Sequence, residues 1–159
     1  MKKILIFSNM DQIGDGIIKL PFIHEIKERF PNHYLIWATN TGNTVYKSSL
    51  KHISGEYIDQ IYEKIPLKNF FFRKKNRKFD LQQNFDIIID TQKAVIRTLC
   101  LKRLYSNIFI SSAANWFFST IKPNDISNER KYYLEDLFFS LDLISKPSKT
   151  NNFKIKFPS

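Results

Sequence analysis

Between Phe85 and Asp90 the chain reads Phe-Asp-Ile-Ile-Ile-Asp, and between Lys3 and Ser8 it reads Lys-Ile-Leu-Ile-Phe-Ser. Short apolar runs without alternation belong to strands covered on both faces, the condition of a parallel sheet clothed by helices. The segments between them fit that architecture. From Ile17 the positions Ile17, Ile18, Leu20, Phe22, Ile23, Ile26 and Phe30 recur at helical spacing, with Lys19, Glu25, Lys27, Glu28 and Arg29 expected on the opposite, solvated side, until Pro31-Asn32 ends the helix. His33–Ala38 reads as a second strand, Thr44–His52 as a short helix and Tyr57–Tyr62 as a third strand. After Phe85–Asp90 come a helix over Lys93–Leu104, a β-like run at Asn107–Ile110 and an amphipathic helix over Asn128–Leu143. Strands alternating with helices imply an α/β, Rossmann-like parallel sheet with helices on both faces.

A length of 159 residues suits one domain, and a 43% hydrophobic share supplies a core. The domain is expected over residues 1–144, with 145–159, rich in Ser, Asn and Pro, as a truncated interdomain linker or tail. The start Met1-Lys2-Lys3 leads into only four apolar residues, and no run of about 18 apolar residues occurs, so a cytoplasmic chain is expected. One cysteine, Cys100, excludes an internal disulfide and a cysteine-rich zinc site, and His24, His33 and His52 lack ligand spacing. Cys100, Trp37 and Trp116 read as packing residues. The net charge of +10 is uneven: residues 68–79 hold six basic groups and no acid. The 22 Ile against 2 Val and 19 Lys against 6 Arg reflect an AT-rich coding bias, which enriches Lys whatever the function. A local anionic partner fits this distribution better than a general polyanion binder, and no nucleic-acid module surrounds the basic segment.

Ligands of such sheets sit beyond the carboxyl ends of the strands. There the chain places Asn9–Asp15, Thr39–Asn43 and Asp90–Lys93. Ile13-Gly14-Asp15-Gly16 falls where the first strand gives way to the first helix, so backbone N–H groups and the helix dipole face the crevice. From residue types alone, Asp15 is either the helix N-cap or a carboxylate offered to a ligand. The dinucleotide-binding Gly-x-Gly-x-x-Gly pattern is missing. Phe70-Phe71-Phe72 beside Arg73, Lys74, Lys75, Arg77 and Lys78 fits either an anionic lipid or phosphate surface or a solvated loop.

The stretch from Ile13-Gly14-Asp15-Gly16 through Leu20-Pro21-Phe22 to Arg29-Phe30-Pro31 resembles the opening of the family 9 glycosyltransferases, whose members include the heptosyltransferases of lipopolysaccharide core assembly. Phe85–Asp90 followed by Thr91-Gln92 resembles the family's strand ending in Asp-x-Gln, and Asn128–Leu141 resembles a later helix. Lys93 stands where the family usually has glycine. The resemblance extends over the whole chain, as the amino-terminal half of a GT-B enzyme built from two facing Rossmann-like domains. It implies that Asp15 is the general base of an inverting sugar transfer, and that Gly14, Gly16, Asp90, Gln92 and Arg97, with Arg73, Lys74, Lys75 and Arg77, lie on the side of a lipid-linked saccharide acceptor. No metal or other cofactor is implied in this half. The nucleotide-sugar donor, ADP-heptose, is expected on the missing domain, so the isolated chain is expected to be inactive. Three readings stay open: a truncated remnant, half of a split enzyme with a separately encoded donor domain, and a non-catalytic module that holds anionic lipid or saccharide through residues 68–78 at the inner face of the membrane.

Overall fold

The computed structural model describes residues 1–67, 83–124 and 132–148. The basic segment, including Arg73, Lys74, Lys75 and Arg77, lies outside the described residues, as does Asn128. Five strands pair in parallel: β1 (Lys2–Ser8), β2 (His33–Thr39), β3 (Gln60–Tyr62), β4 (Phe85–Asp90) and β5 (Ser106–Ser111), in the order β3-β2-β1-β4-β5. The helices are α1 (Ile13–Arg29), α2 (Lys51–Ser54), α3 (Val95–Leu101) and α4 (Tyr133–Asp142), with a 3-10 turn at Val45–Lys47. The α/β, Rossmann-like expectation is met. β1 lies at the centre, with Ile4 opposite Leu35 of β2 and Ile87 of β4.

The uninterrupted apolar runs of β1 and β4 follow from burial on both sides. Ile4, Ile6, Leu35, Trp37, Ile87 and Ile89 pack beneath Leu20, Phe22, Ile23 and Ile26 of α1 and Leu137 and Leu141 of α4. The intervening Leu5, Phe7, Ile36, Ala38 and Ile88 face the opposite layer, where Cys100, Leu101 and Leu104 cover them. Trp37 and Trp116 are buried, as expected.

Several boundaries differ from the sequence reading. α1 begins at Ile13, a full turn before Ile17, because Gly14-Asp15-Gly16 is its first turn rather than a loop. The cap position falls on Gln12, whose side chain makes no capping bond, so Asp15 is not the N-cap. α3 covers only Val95–Leu101, and residues 57 and 58 close a helical turn on Ser54 before β3 starts at Gln60.

Lys19 and Glu25 are also not on the solvated side of α1: both are buried. Glu25 accepts hydrogen bonds from Arg29 Nε (2.8 Å) and from the backbone N–H and hydroxyl of Ser148 (2.8 Å each). Arg29 also donates to the Ser145 carbonyl at 2.9 Å and pairs with Asp142 at 2.8 Å. The start of the expected linker is thereby fastened to α1. Burial pushes the Glu25 carboxyl up, but the bonds from Ser148 and Arg29 outweigh it and hold the group below its ordinary value.

The two motif glycines have different surroundings. Gly14 has open space where a side chain would be, whereas a Cβ on Gly16 would overlap Val45 Cγ2 and come 2.9 Å from Leu50 Cδ1. The Gly16 carbonyl also accepts the Tyr46 hydroxyl at 2.9 Å. Gly16→Ala is therefore expected to destabilise the chain by ~1–3 kcal/mol through overpacking. Gly14→Ala, in the same turn, is expected to stabilise it by up to ~1 kcal/mol through helix propensity. Urea denaturation midpoints moving in opposite directions would report both effects.

Candidate functional site

The order of the strands reverses beside β1, so the loops after β1 and β4 part and leave a crevice between them. On the β1 side the chain is stitched to the loop after β2. The Asn9 carbonyl accepts the N–H groups of Asn40 (3.1 Å) and Thr41 (3.0 Å), and Asp11 N–H donates to the Asn43 carbonyl at 3.2 Å. Beneath this stitching lies a buried ion pair. Asp11 accepts bonds from Lys19 Nζ at 2.5 Å, Trp37 Nε1 at 2.8 Å and Ser8 Oγ at 2.9 Å. Lys19, only 4% exposed, also donates to Ser8 Oγ at 3.1 Å. Its ammonium lies 5.8 Å from the Trp37 ring centroid and 5.6 Å from that of Tyr133.

An ammonium taken out of water needs a counter-charge and further partners, and Lys19 has a carboxylate, a hydroxyl and two aromatic faces. Tyr133 carries the cluster across the crevice, because its hydroxyl donates to the Thr91 carbonyl at 3.0 Å. Burial pushes the Tyr133 phenol up, and the Lys19 charge opposes that rise. Tyr46, packed edge-on to Trp37 with centroids 4.8 Å apart, is likewise held in its neutral form, by burial first and by the Asp11 charge second.

Above this cluster, the first turn of α1 presents Gly14 and Asp15 to solvent. Asp15 is the third residue of the 17-residue α1 and stands in its first turn. An exposed carboxylate at the mouth of a crevice can accept a proton from a bound hydroxyl. Gly16 is buried one residue further on, and its packing against residues 45–50 accounts for its lack of a side chain.

Across the crevice, Asp90 ends β4. Its Oδ2 accepts Thr98 Oγ1 at 2.6 Å and Ser111 Oγ at 3.0 Å, and its Oδ1 accepts the Gln92 N–H at 3.0 Å. The carboxylate thus ties β4, α3 and β5 together. Burial pushes its pKa up to about 6, although the bonds from Thr98, Gln92 and Ser111 pull the other way. Arg97 Nη1 donates to Gln92 Oε1 at 2.9 Å, while Gln92 Nε2 is buried without a hydrogen-bond partner among the described residues. Lys93 reaches to α4 and pairs with Asp136 at 2.5 Å. The structure therefore brings Asp90, Gln92 and Arg97 together on one lip of the crevice and places Gly14, Asp15 and Gly16 on α1 at the other. Among the described residues, no group of three or more His, Cys, Asp or Glu side chains is arranged to hold a metal ion.

Ser8, Asp11, Lys19 and Tyr133 escaped the sequence reading. The signal was present: Lys19 stands four and seven residues before Ile23 and Ile26, on the buried stripe of α1, and a lysine on such a stripe demands a partner.

The sequence matches no protein-family model and no curated protein. Solved structures do share the fold. E. coli heptosyltransferase WaaC with ADP superposes with a TM-score of 0.61 at 16% identity, over 96% of this chain and 51% of that one. WaaC with ADP-2-deoxy-2-fluoro heptose gives 0.58 at 16% identity, over 93% of this chain and 50% of that one. A family 9 glycosyltransferase from Veillonella parvula DSM 2008 gives 0.58 at 14% identity, over 99% and 45%. The chain thus has the α/β fold found in heptosyltransferases and spans about half the length of the chains it resembles.

Two measurements follow from the buried charges. Asp11→Asn leaves the Lys19 ammonium without its counter-charge and is expected to cost about 3–5 kcal/mol. Asp11→Asn combined with Lys19→Met should cost less than the sum of the two single changes, and a double-mutant cycle by urea denaturation reads this coupling. For Asp90, a folded pKa of about 6 lies above its ordinary value, so between those two pH values the folded chain binds the extra proton. Its contribution to stability therefore grows as pH falls through about 6, and Asp90→Asn should flatten stability against pH in that window. Carboxyl carbon NMR should place the Asp90 midpoint near 6.

Proposed function

We propose that this chain is the acceptor-side half of a family 9, heptosyltransferase-like glycosyltransferase. The observation that carries this reading is the exposed Asp15 at the amino terminus of α1, at the crevice of a fold matched over 96% of the chain by a heptosyltransferase. In the proposed reaction, an acceptor saccharide hydroxyl lies against the first turn of α1. Asp15 accepts its proton as the oxygen attacks the anomeric carbon of the donor sugar. The bond from that carbon to the nucleoside diphosphate breaks on the opposite side, which inverts the configuration. The charge leaves with the diphosphate, so the chemistry asks this half only for a base and for groups that orient the acceptor.

Gln92 and Arg97 fit the orienting role. The Gln92 amide has an unused N–H donor, and Arg97, braced by Gln92 Oε1, brings a guanidinium suited to a phosphate or carboxylate on the acceptor. Asp90 fits a supporting role, fixing the turn that carries both. The ADP-heptose type of donor belongs, on this reading, to a second half facing the crevice, in a partner domain that this chain needs for turnover. The acceptor is a lipid-linked saccharide of the lipopolysaccharide-core type, met at the cytoplasmic side of the membrane.

Amide NMR of the labelled chain, titrated with a phosphorylated core saccharide and separately with ADP, tests the division of labour. The saccharide should shift the amides of residues 13–16 and 92–97, and ADP should leave them in place. In a fusion of this chain to a donor half, Asp15→Asn should lower turnover by about 10²-fold or more with an unchanged melting temperature. Silence of both segments toward the saccharide, or full turnover of the Asp15→Asn fusion, would overturn the reading.

A further inference from the structure

Tyr133 is turned the opposite way from an ordinary surface tyrosine. Such a residue lays its ring against the protein and keeps its hydroxyl in water. Here the hydroxyl points inward and donates to the Thr91 carbonyl at 3.0 Å, and burial of this polar end pushes the phenol up. The ring carries the exposure instead, for the residue is 40% exposed. One ring face is closed by the Lys19 ammonium, 5.6 Å from the centroid and part of a buried side chain. The open surface therefore belongs to the other face. Covering an ammonium needs only the first face, so that role does not explain why the second stands bare.

The ring is also held still. Tyr133 is the first residue of α4, and the bond to Thr91 fixes its far end, so little rotamer freedom remains to be lost when a ligand binds. Its place is central. Lys19 follows Asp15 by one turn of α1, and Thr91 lies between Asp90 and Gln92. The ring thus joins the lip that carries Asp15 to the lip that carries Gln92. On that second lip Gln92 Nε2 is buried without a hydrogen-bond partner among the described residues, and Arg97 Nη1 donates to Gln92 Oε1 at 2.9 Å.

We infer that Tyr133 is the stacking platform of the acceptor, and that it selects a pyranose ring with a face of C–H groups. The inference rests on the proposed reading of the crevice as an acceptor site and names a residue that sets which acceptors fit. A pyranose carries hydroxyls around its edge and C–H groups on its faces. Laid on the open face of Tyr133, it removes apolar surface from water on both partners. Its edge hydroxyls then turn toward Asp15 on one side and the Gln92 amide on the other, an apolar floor with a few polar groups at the rim. An open-chain polyol or a bare phosphate has no such face to offer.

The test is NMR of the full chain with ring-labelled tyrosine, titrated with a phosphorylated core saccharide and separately with ADP and with inorganic phosphate. The C–H protons of bound saccharide should show nuclear Overhauser contacts to a tyrosine ring and should move upfield in its ring current. Tyr133→Phe, labelled in the same way, should lose the contacts to labelled tyrosine and keep the upfield shift, because the phenylalanine ring takes the same place. Tyr133→Leu still covers Lys19 with an apolar side chain, and it should lose the upfield shift and bind the saccharide about tenfold more weakly. Its melting temperature reports its fold, and the native and Tyr133→Phe chains decide the matter if it does not fold. Saccharide that shifts the amides of residues 13–16 and 92–97 without an upfield shift or a tyrosine contact would overturn this inference and leave the acceptor-site reading standing. Silence of those amides would overturn that reading and this inference with it. Contacts from the tyrosine ring to the adenine of ADP, or inorganic phosphate bound as tightly as the saccharide, would also overturn it.

Discussion

A lysine ammonium held at the base of a crevice must be answered by charge and by hydrogen bonds, and here the answer sets the local architecture. Lys19 draws Asp11 inward, Asp11 holds the Trp37 indole, and Tyr133 closes over the ammonium while bonding the loop after β4. Two strands and two helices therefore meet at one ion pair. The net free energy of such a pair is small when both partners are present, because Coulomb attraction is offset by lost hydration. Its structural effect comes from asymmetry: any arrangement that separates the partners leaves a bare charge indoors. The loop of residues 9–12 consequently has one favourable position, and the first turn of α1 is placed by it.

Asp15, in the first turn of α1, and Asp90, at the end of β4, sit in opposite environments. Asp90 is surrounded by hydroxyls and an amide, and its proton affinity rises with burial. It is a brace whose preferred state includes a proton over part of the accessible pH range. Asp15 stands exposed in the first turn of α1. In the proposed transfer, the group that takes the proton is better placed where an acceptor can reach it, provided the ground beneath it is rigid. The Lys19 cluster supplies that rigidity one helical turn below.

The strands that drive this fold were legible because burial on both faces writes itself into a sequence as unbroken runs, as at Ile4–Phe7 and Ile87–Ile89. The α1 start was harder to see, since Gly14-Asp15-Gly16 has the composition of a turn; only the packing of Gly16 against Val45 and Leu50 shows why a glycine belongs within the helix. Lys19 and Glu25 were misplaced on the solvent side for a related reason. Pattern reading assigns charge to water, and the partners that override this lie far along the chain: Tyr133 for Lys19, and Ser148 for Glu25. The grouping of Asp90, Gln92 and Arg97 was visible from their proximity in sequence, whereas the bonding of Asp90 to Ser111 depends on where β5 lands.

The central position of β1 carries a consequence for the birth of the molecule. Among the described strands β1 is synthesised before the others, and β2 can zip along it soon afterwards, Lys2 opposite His33. Its other edge waits for Ile87 and Ile88, and for the whole of β2, β3 and the basic segment to be synthesised. Throughout that interval the most apolar strand of the nascent chain offers a row of unpaired amides and carbonyls to any neighbour, the arrangement that seeds edge-to-edge aggregation. The pace of translation between the third and fourth strands, and chaperone cover during it, therefore bear directly on the yield of folded chain.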